Sequence, residues 1–474
     1  MSAGLQAART ALAGERAWVV GGAVRDRVLG RASSDFDVVV DGDPGQAARS
    51  VAAAAGRAAC FELSREFGSW RVVARDGSWQ LDVEPLRGGD LESDLALRDF
   101  TVNAIAEPLR GGDPIDPLGG LRDLAAGRLR MAGAGAFAAD PLRVLRLVRV
   151  VVELGLEPDP QTMRSARASA GGLREVSPER IFAELCRLLA GESPRRGLEL
   201  MADVGAAAVV LPELERLRGV QQSRYHHLDV YGHTLEVLDR TVEITRPGSP
   251  EGGQLRELLA PRWSALSALL YEPLADGLTR GSALRWGALL HDAAKPLTRE
   301  AHGVSRRVTF FGHDQVGAEL ARSLLARLRA SERLQAHVAG LVRHHLRLGF
   351  LVHEPQPLAP GLVFDYLLAC PPVEVDVTLL SLADRLATRG ARAEEAIASH
   401  LRLGGQMLDA ALDWRANGPP RPLLRGDELA RELGMPRGPR IGALLSELAR
   451  AQYAGEVDTR EQAIAYARRR AGNV

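Results

Sequence analysis

Cysteine and lysine are nearly absent from this chain of 474 residues. Cys60, Cys186 and Cys370 are too few and too widely spaced for a disulfide framework or a paired-thiol metal clip. Lys295 is the single lysine among 60 basic side chains, and all the others are arginine. That bias fits a GC-rich coding sequence, so abundant arginine is not by itself a sign of RNA binding. No apolar run is long enough to span a bilayer, and Met1 to Arg16 lacks the charged-then-apolar layout of a secretory signal. The expectation is a cytoplasmic protein with no membrane partner.

Net formal charge is also lacking, at zero. This does not exclude a nucleic-acid ligand, because affinity for phosphates follows the placement of positive charge and not its sum. An apolar fraction of 46% with 25% charged residues is that of an ordinary globular protein, and the length calls for two to four domains. Histidine is unevenly spread. Ten of the eleven lie between His226 and His353, which marks that stretch as chemically distinct.

Residues 17 to 130 read as mixed α/β. Short β-type runs at Ala17–Val20, Phe36–Val40, Trp70–Ala74 and Trp79–Val83 alternate with Gly, Asp and Ser turns. Alanine-rich Pro44 to Ala55 reads as a helix, as does Val24 to Leu29. From Asp140 the period lengthens. Leu142, Leu145, Val148 and Val152 recur at helical steps, and helical patterns dominate thereafter. Breaks fall near Gly171–Gly172, Pro247–Gly253, Glu354–Pro360 and Gly418–Pro422, the last two being proline-rich.

The densest constellation is Gly21-Gly22-Ala23-Val24-Arg25-Asp26 followed by Asp35-Phe36-Asp37. A glycine turn between strand and helix lets backbone N–H groups approach a phosphate closely. Residues i and i+2 of a strand face one way, so Asp35 and Asp37 share a side. Two such carboxylates repel unless a cation lies between them. Asp82, on another predicted strand, supplies a third. Three carboxylates on one face suit two Mg²⁺ ions that activate a hydroxyl and neutralise a polyphosphate.

With these residues the chain resembles the head of the class II tRNA nucleotidyltransferase and poly(A) polymerase family. Later segments are similar to its motifs in order: Leu97-Arg98-Asp99-Phe100-Thr101-Val102-Asn103-Ala104, then Asp116-Pro117-Leu118-Gly119-Gly120 with Asp123-Leu124, then Asp140-Pro141-Leu142-Arg143, then Glu179-Arg180-Ile181 with Glu184. The resemblance implies that Asp35 and Asp37 hold catalytic Mg²⁺, with Asp82 as the third carboxylate and Gly21 and Gly22 on the triphosphate. It implies nucleotide-binding roles for Arg25, Arg98, Asp99, Asp140, Arg143 and Arg146. Asp99 would accept from the ribose 2′-OH. Asp140 and Arg143, read as one helical turn apart, would offer an acceptor and a donor fork to the edge of C or A. Asp140 before Pro141 also reads as a helix N-cap, and the two roles compete.

The chain departs from the family pattern in three places. Ala139 stands where Glu is usual and Leu97 where Arg is usual. Between Arg87 and Asp94 only Gly88 to Ser93 remain, where many CCA-adding relatives carry a longer flexible segment. Switching one pocket from C to A requires a mobile element with two arrangements. The short link therefore leads us to expect a CC-adding enzyme with a separate A-adding enzyme. The alternative is that another loop does the switching.

His233, His291-Asp292, His313, His344-His345 and Asp384 lie on predicted helices. Imidazole with carboxylate suits a borderline divalent metal such as Mn, Ni, Co or Zn. The order resembles the HD phosphohydrolase superfamily, with His233, His291, Asp292 and Asp384 as its four positions. His313 and His344 or His345, with His344 preferred, match the extra ligands of two-metal members. His226 and His227 read as loop residues. Leu424 to Leu429, Gly434 and Gly438 to Gly442 are similar to the tail of HD-bearing tRNA nucleotidyltransferases.

The fold expected is an α/β nucleotidyltransferase head of polymerase-beta type (1–130), then an all-α neck (131–215), HD region (216–400) and tail (401–474). The partners implied are the tRNA 3′ end with CTP or ATP. Poly(A) polymerase shares the head motifs, but the full His/Asp set and the lack of a strongly basic tail weigh against it. A phosphohydrolase with a binding-only head is weighed against by the Asp35/Asp37 pair. A non-catalytic RNA-binding protein would leave both metal sets idle.

Overall fold

The computed structural model describes residues 2–222, 227–248, 253–302, 307–389 and 393–472, so His226 lies outside the described residues. The chain divides into two compact units. One is Met1–Glu184 with Arg196–Val210, the other Leu185–Arg195 with Leu211–Val474.

The first unit is built on a six-stranded sheet in the order β3-β4-β5-β2-β1-β6. Its strands are β1 (Ala17–Val20), β2 (Asp35–Val40), β3 (Ala59–Ser64), β4 (Ser69–Val73), β5 (Gln80–Pro85) and β6 (Ala106–Pro108). β2 and β5 run parallel, and every other neighbouring pair is antiparallel. Phe36, Val38 and Val40 alternate with Asp35, Asp37 and Val39, which sends the first set into a core with Val72, Leu81 and Val83. Two helices, α1 (Ala3–Ala11) and α3 (Pro44–Ala54), cover that face with Ala7, Ala8, Ala47, Ala48 and Val51. α3 begins where Asp43 accepts from the N–H groups of Gly45 and Gln46, with Pro44 in the first turn. On the other face Trp18, Val20 and Val39 pack against Leu95, Ala104 and Ala106. The carboxylates stand beside this second, smaller cluster.

Two strands of this sheet were not anticipated from the sequence. β3 is an edge strand with mostly exposed side chains and no clean alternation, and it exists by pairing with β4. β6 is three residues long. A further correction concerns the helix expected from Asp140. α7 spans Arg143–Leu154, and Asp140 is extended (φ −151°, ψ 101°). Pro141 disfavours helical backbone at the residue before it.

The segment Thr101–Asn103 is a 3-10 turn braced from below. Thr101 donates to Asp123 (2.7 Å), which also accepts from Arg130 (2.9 Å). Asp116 accepts from the N–H groups of Gly120 and Leu121 and so starts α5 (Gly120–Ala125).

The second unit is mainly helical; the all-helical expectation is corrected by two short strand pairs, Pro273–Ala275 with Leu278–Thr279 and Glu300–His302 with Arg307–Thr309. Val230–Thr245 packs on Arg280–Leu290 and Glu374–Ala387, and His313–Arg327 packs on Glu332–His344. Trp286, Leu289, Leu341, Leu379 and Leu382 are fully enclosed. Near the chain end, Gly426–Leu433, Pro439–Tyr453 and Arg460–Gly472 share a core of Leu429, Ile441, Leu444, Leu448 and Ala467. Residues 354–359 and 418–422 are irregular, as their prolines suggest. Among the described residues no single helix is long and apolar enough to cross a membrane.

A Cβ at Gly120 would sit 2.0 Å from the carbonyl oxygen of Thr101. Gly120→Ala is therefore expected to destabilise the first unit by about 1–3 kcal/mol. Denaturant unfolding of the full chain checks this; an unchanged first transition would show that the brace tolerates displacement.

Candidate active site and metal cluster

In the first unit the sheet register assembles the carboxylates. Asp37 pairs directly with Asp82 across β2 and β5, so both project from one face, with Asp35 one step along. Asp35 is exposed and accepts from Gln80 (3.0 Å). Burial pushes the Asp37 carboxyl up to about 7, with Glu84, Asp35 and Asp82 adding to the shift and Arg98 opposing it. A buried carboxyl crowded by three other carboxylates is a chemical setting that divalent cations fit. Asp82 is held by Arg71 through two contacts of 2.7 Å. Glu84 stands two residues beyond Asp82 on the same strand face. The sequence signal for it was that i+2 spacing.

Gly21 ends β1 at φ +75°, a conformation that favours glycine. A Cβ there would lie 3.0 Å from Asp37 and 3.4 Å from Arg98. Gly21 thus keeps open the space between the carboxylate and the guanidinium, and Gly22 starts α2 (Gly22–Val28). Arg98 is aimed by Asp94, which is fully buried and accepts from Arg98 (3.2 Å) and from the side chain and N–H of Arg87 (2.9 and 3.3 Å). The short link is an ordered turn. Asp90 caps α4 (Leu91–Ala96) by accepting from Ser93, and Leu95 anchors the helix in the core.

The expectation that Asp99 presents an open acceptor to a ribose hydroxyl is corrected. Asp99 is buried, and its oxygens accept from Phe100 N–H (2.8 Å), Asn103 (3.0 Å) and Arg146 (2.8 and 2.6 Å). Burial opposes its charge, but Arg146 and Asn103 prevail and hold the carboxyl down at about 2. Arg146 in turn is held above its ordinary range by Asp99. Arg25, also buried, donates to Asn103 (2.6 Å). Arg25, Asp99 and Arg146 form one network that ties α2 to α7.

Asp140 and Arg143 are not adjacent on a helix. Arg143 spends its fork on the carbonyls of Leu97, Arg98 and Ala136. Asp140 accepts from Leu142 N–H (3.2 Å), the capping role, and from Arg180 (2.7 Å). Arg180 is half exposed, with 53% of its side chain accessible, so it is the donor fork that solvent reaches beside Asp140. The sequence had flagged Arg180 only as part of a motif.

In the second unit five helical segments converge on Asp292. His233 Nε2 lies 2.9 Å from Asp384 and 3.8 Å from Asp292, and His291 Nε2 lies 3.2 Å from Asp292. His313 and His345 approach the other Asp292 oxygen at 3.3 and 3.9 Å. Two ligand-like triads result, His233/His291/Asp292 and Asp292/His313/His345, with Asp292 common to both. Nδ1 of His291, His313 and His345 each contacts a carbonyl, of Ala288, Phe310 and Val342 at 2.8, 2.6 and 2.6 Å. This fixes the tautomer and turns Nε2 inward, as metal-binding histidines require. Nε2 of His291 and of His313 is buried with no hydrogen-bond partner, an arrangement that fits metal ligation. Burial resists charge on Asp292, yet His291 and Lys295 hold its carboxyl well below the usual range. Lys295, itself buried, contacts Asp292 at 2.6 Å and Gln222 at 2.7 Å.

His344, the preferred ligand from sequence, is replaced by its neighbour. Its Nδ1 accepts from Arg347 outside the cluster, whereas His345 is buried with Nε2 3.9 Å from Asp292 and belongs to the second triad. The two rings sit at the end of one helix about 100° apart, so only one can face inward. His227 is exposed in a bend.

Comparison with known proteins identifies the domains that carry these residues. The "Poly A polymerase head domain" matches residues 17–130, "Probable RNA and SrmB- binding site of polymerase A" matches 155–217, and the "HD domain" matches 230–389. The chain is 38% identical to the A-adding tRNA nucleotidyltransferase of Deinococcus radiodurans over 95% of its own length and 94% of the relative's. It is 34% identical to the CC-adding tRNA nucleotidyltransferase of Thermus thermophilus, covering 95% and 92%. A solved CCA-adding enzyme in its apo form superposes with a TM-score of 0.60 at 20% identity over 98% of this chain and 92% of that one, which bears on the fold. A nucleotidyltransferase head is thus joined to an HD domain, and both imply divalent metal ions. The chain belongs to the tRNA nucleotidyltransferase family that contains CCA-, CC- and A-adding enzymes.

Two measurements follow from these geometries. A carboxyl raised by folding favours the folded chain below its unfolded value near 4 and loses that contribution as pH climbs through about 7. The metal-free protein is expected to lose stability over that window. Mg²⁺ should raise its Tm more at pH 8 than at pH 5.5, and Asp37→Asn should remove the difference and abolish nucleotide addition. An equal Mg²⁺ effect at both pH values would count against the site. In the second unit, metal analysis should find lower occupancy in His345→Ala and parental occupancy in His344→Ala. The reverse result would exchange the two assignments.

Proposed function

We propose that this chain extends the tRNA 3′ end with a base pocket of one fixed form, and that its product ends in CC. The observation that carries the proposal is the clamp on the link between Arg87 and Asp94, where one buried carboxylate grips both ends of the turn and Arg98. A pocket serving both C and A must change shape, and this element has no slack for a second arrangement. A separate A-adding enzyme would then complete the CCA end. The second reading is A addition by the same kind of fixed pocket, favoured by the likeness to the Deinococcus radiodurans enzyme.

The reaction is in-line attack of the terminal tRNA 3′-OH on the α-phosphate of CTP. A P–O bond forms to the primer, the α–β bridge breaks, and pyrophosphate leaves with its charge. Mg²⁺ bound by Asp35 and Asp37 would lower the hydroxyl pKa and neutralise the phosphates. The Gly21–Gly22 turn offers its backbone to the triphosphate, with Arg98 above it. Arg25 and Arg146, through Asn103 and Asp99, hold the turn and α7 in register. Asp140 with Arg180 and Arg143 forms the wall that reads the base edge. Asp82 serves as third carboxylate when Arg71 yields it.

For the HD region we infer a two-metal phosphohydrolase site. His233, His291, Asp292 and Asp384 would hold one ion of the Mn, Ni, Co or Zn type, and His313 and His345 a second, with Asp292 bridging. A cytoplasmic setting accompanies this reading.

Purified protein given tRNA lacking CCA, with CTP and ATP together, is expected to stop after two C residues. Addition of A alone to tRNA ending in CC would favour the second reading. Efficient synthesis of the whole CCA end would remove the fixed-pocket proposal.

A further inference from the structure

The face of the sheet that carries the carboxylates continues beyond them. Cross-strand pairing sets Asp37, Asp82, Arg71 and Phe61 in one row over β2, β5, β4 and β3. Directly paired residues project from the same face, and the two contacts between Arg71 and Asp82 fit that geometry. Three strand spacings put the Phe61 position about 14 Å from that of Asp37. Phe61 is 47% exposed on the edge strand, and Leu63 (44%) and Phe67 (66%) at the adjoining turn are exposed too. Exposed apolar side chains on an edge strand are a liability unless something covers them. Charges of both signs lie nearby, with Glu62 and Glu66 beside Arg65 in the chain. Arg71 separates the ring from the carboxylates, and Arg65 has 92% of its side chain accessible, with only a surface contact to Glu62.

We propose that Phe61 is a stacking platform for a base in the single-stranded 3′ end of the tRNA, upstream of the nucleotide whose hydroxyl reacts. The inference rests on the tRNA-extending reading above and adds an acceptor-strand contact to it. An aromatic face accepts any base, which suits an enzyme that must treat many tRNAs alike. Arg71, between the ring and the carboxylates, is a cation that a phosphate linking the stacked base to the 3′-OH could share with Asp82. A second copy of the chain pairing with β3 would use the free backbone edge, and would leave the alignment of the ring with the carboxylates without a purpose.

Kinetics of the full chain with Phe61→Ala, Phe61→Leu and Phe61→Trp test the proposal. The Ala and Leu variants are expected to raise the KM for tRNA about tenfold, leaving the KM for nucleotide and the Tm unchanged, and Trp is expected to restore the parent value. An unaltered KM for tRNA in Phe61→Ala would overturn the platform. So would full rescue by Leu, because a flat ring would then be unnecessary. A concentration-dependent dimer lost in Phe61→Ala, with the KM for tRNA unmoved, would assign the patch to a second copy. A parent chain that extends no tRNA at all would sink the transferase reading, and this proposal with it.

Discussion

Asp99 is the carboxylate on which the rest of the first unit depends. It is buried, and its charge is sustained by Arg146, Asn103 and a backbone N–H that surround it. Each of those donors belongs to a different part of the machinery. Arg146 belongs to α7, and Asn103 relays to Arg25 on α2, beside the Gly21–Gly22 turn. Removing Arg146 would leave that buried charge without its cation, a cost of about 3–5 kcal/mol. The penalty makes the mutual placement of turn, wall and carboxylates nearly all-or-none. A transferase that reads its base from protein side chains requires that rigidity.

The second unit uses the same device in a different chemistry. Asp292 is again a buried carboxylate with several partners, but here most are imidazoles whose outer nitrogens are fixed by carbonyls. Because Asp292 belongs to both triads, filling one changes the charge felt by the other. The two ions would bind with coupled affinities.

The sequence revealed what periodicity governs. Strand alternation made Asp35 and Asp37 neighbours on one face, and β2 follows that pattern. The His-Asp dipeptide likewise marked Asp292, because few other roles bury a His and an Asp side by side. What periodicity does not govern remained hidden. β3 carries no alternating pattern, since it is an edge strand with no fully buried residue on either face. Asp140 read as helical because its neighbours are, although Pro141 excludes it. His344 and His345 are equivalent as residue types, and only the angle at which their helix meets the cluster distinguishes them. Arg71 and Arg180 are two among dozens of arginines, and their partners come from distant parts of the chain. An arginine-saturated composition conceals its functional members.

That same composition gives the lone lysine an unusual standing. In a protein with one side-chain amine, and that amine sealed against Asp292, acylating reagents have no surface lysine to consume them. A lysine-specific protease has only the bond before Pro296 to attack, and proline resists such cleavage. Acylation at Lys295, read apart from that of the chain's α-amine, becomes on this protein a gauge of whether the histidine cluster has opened.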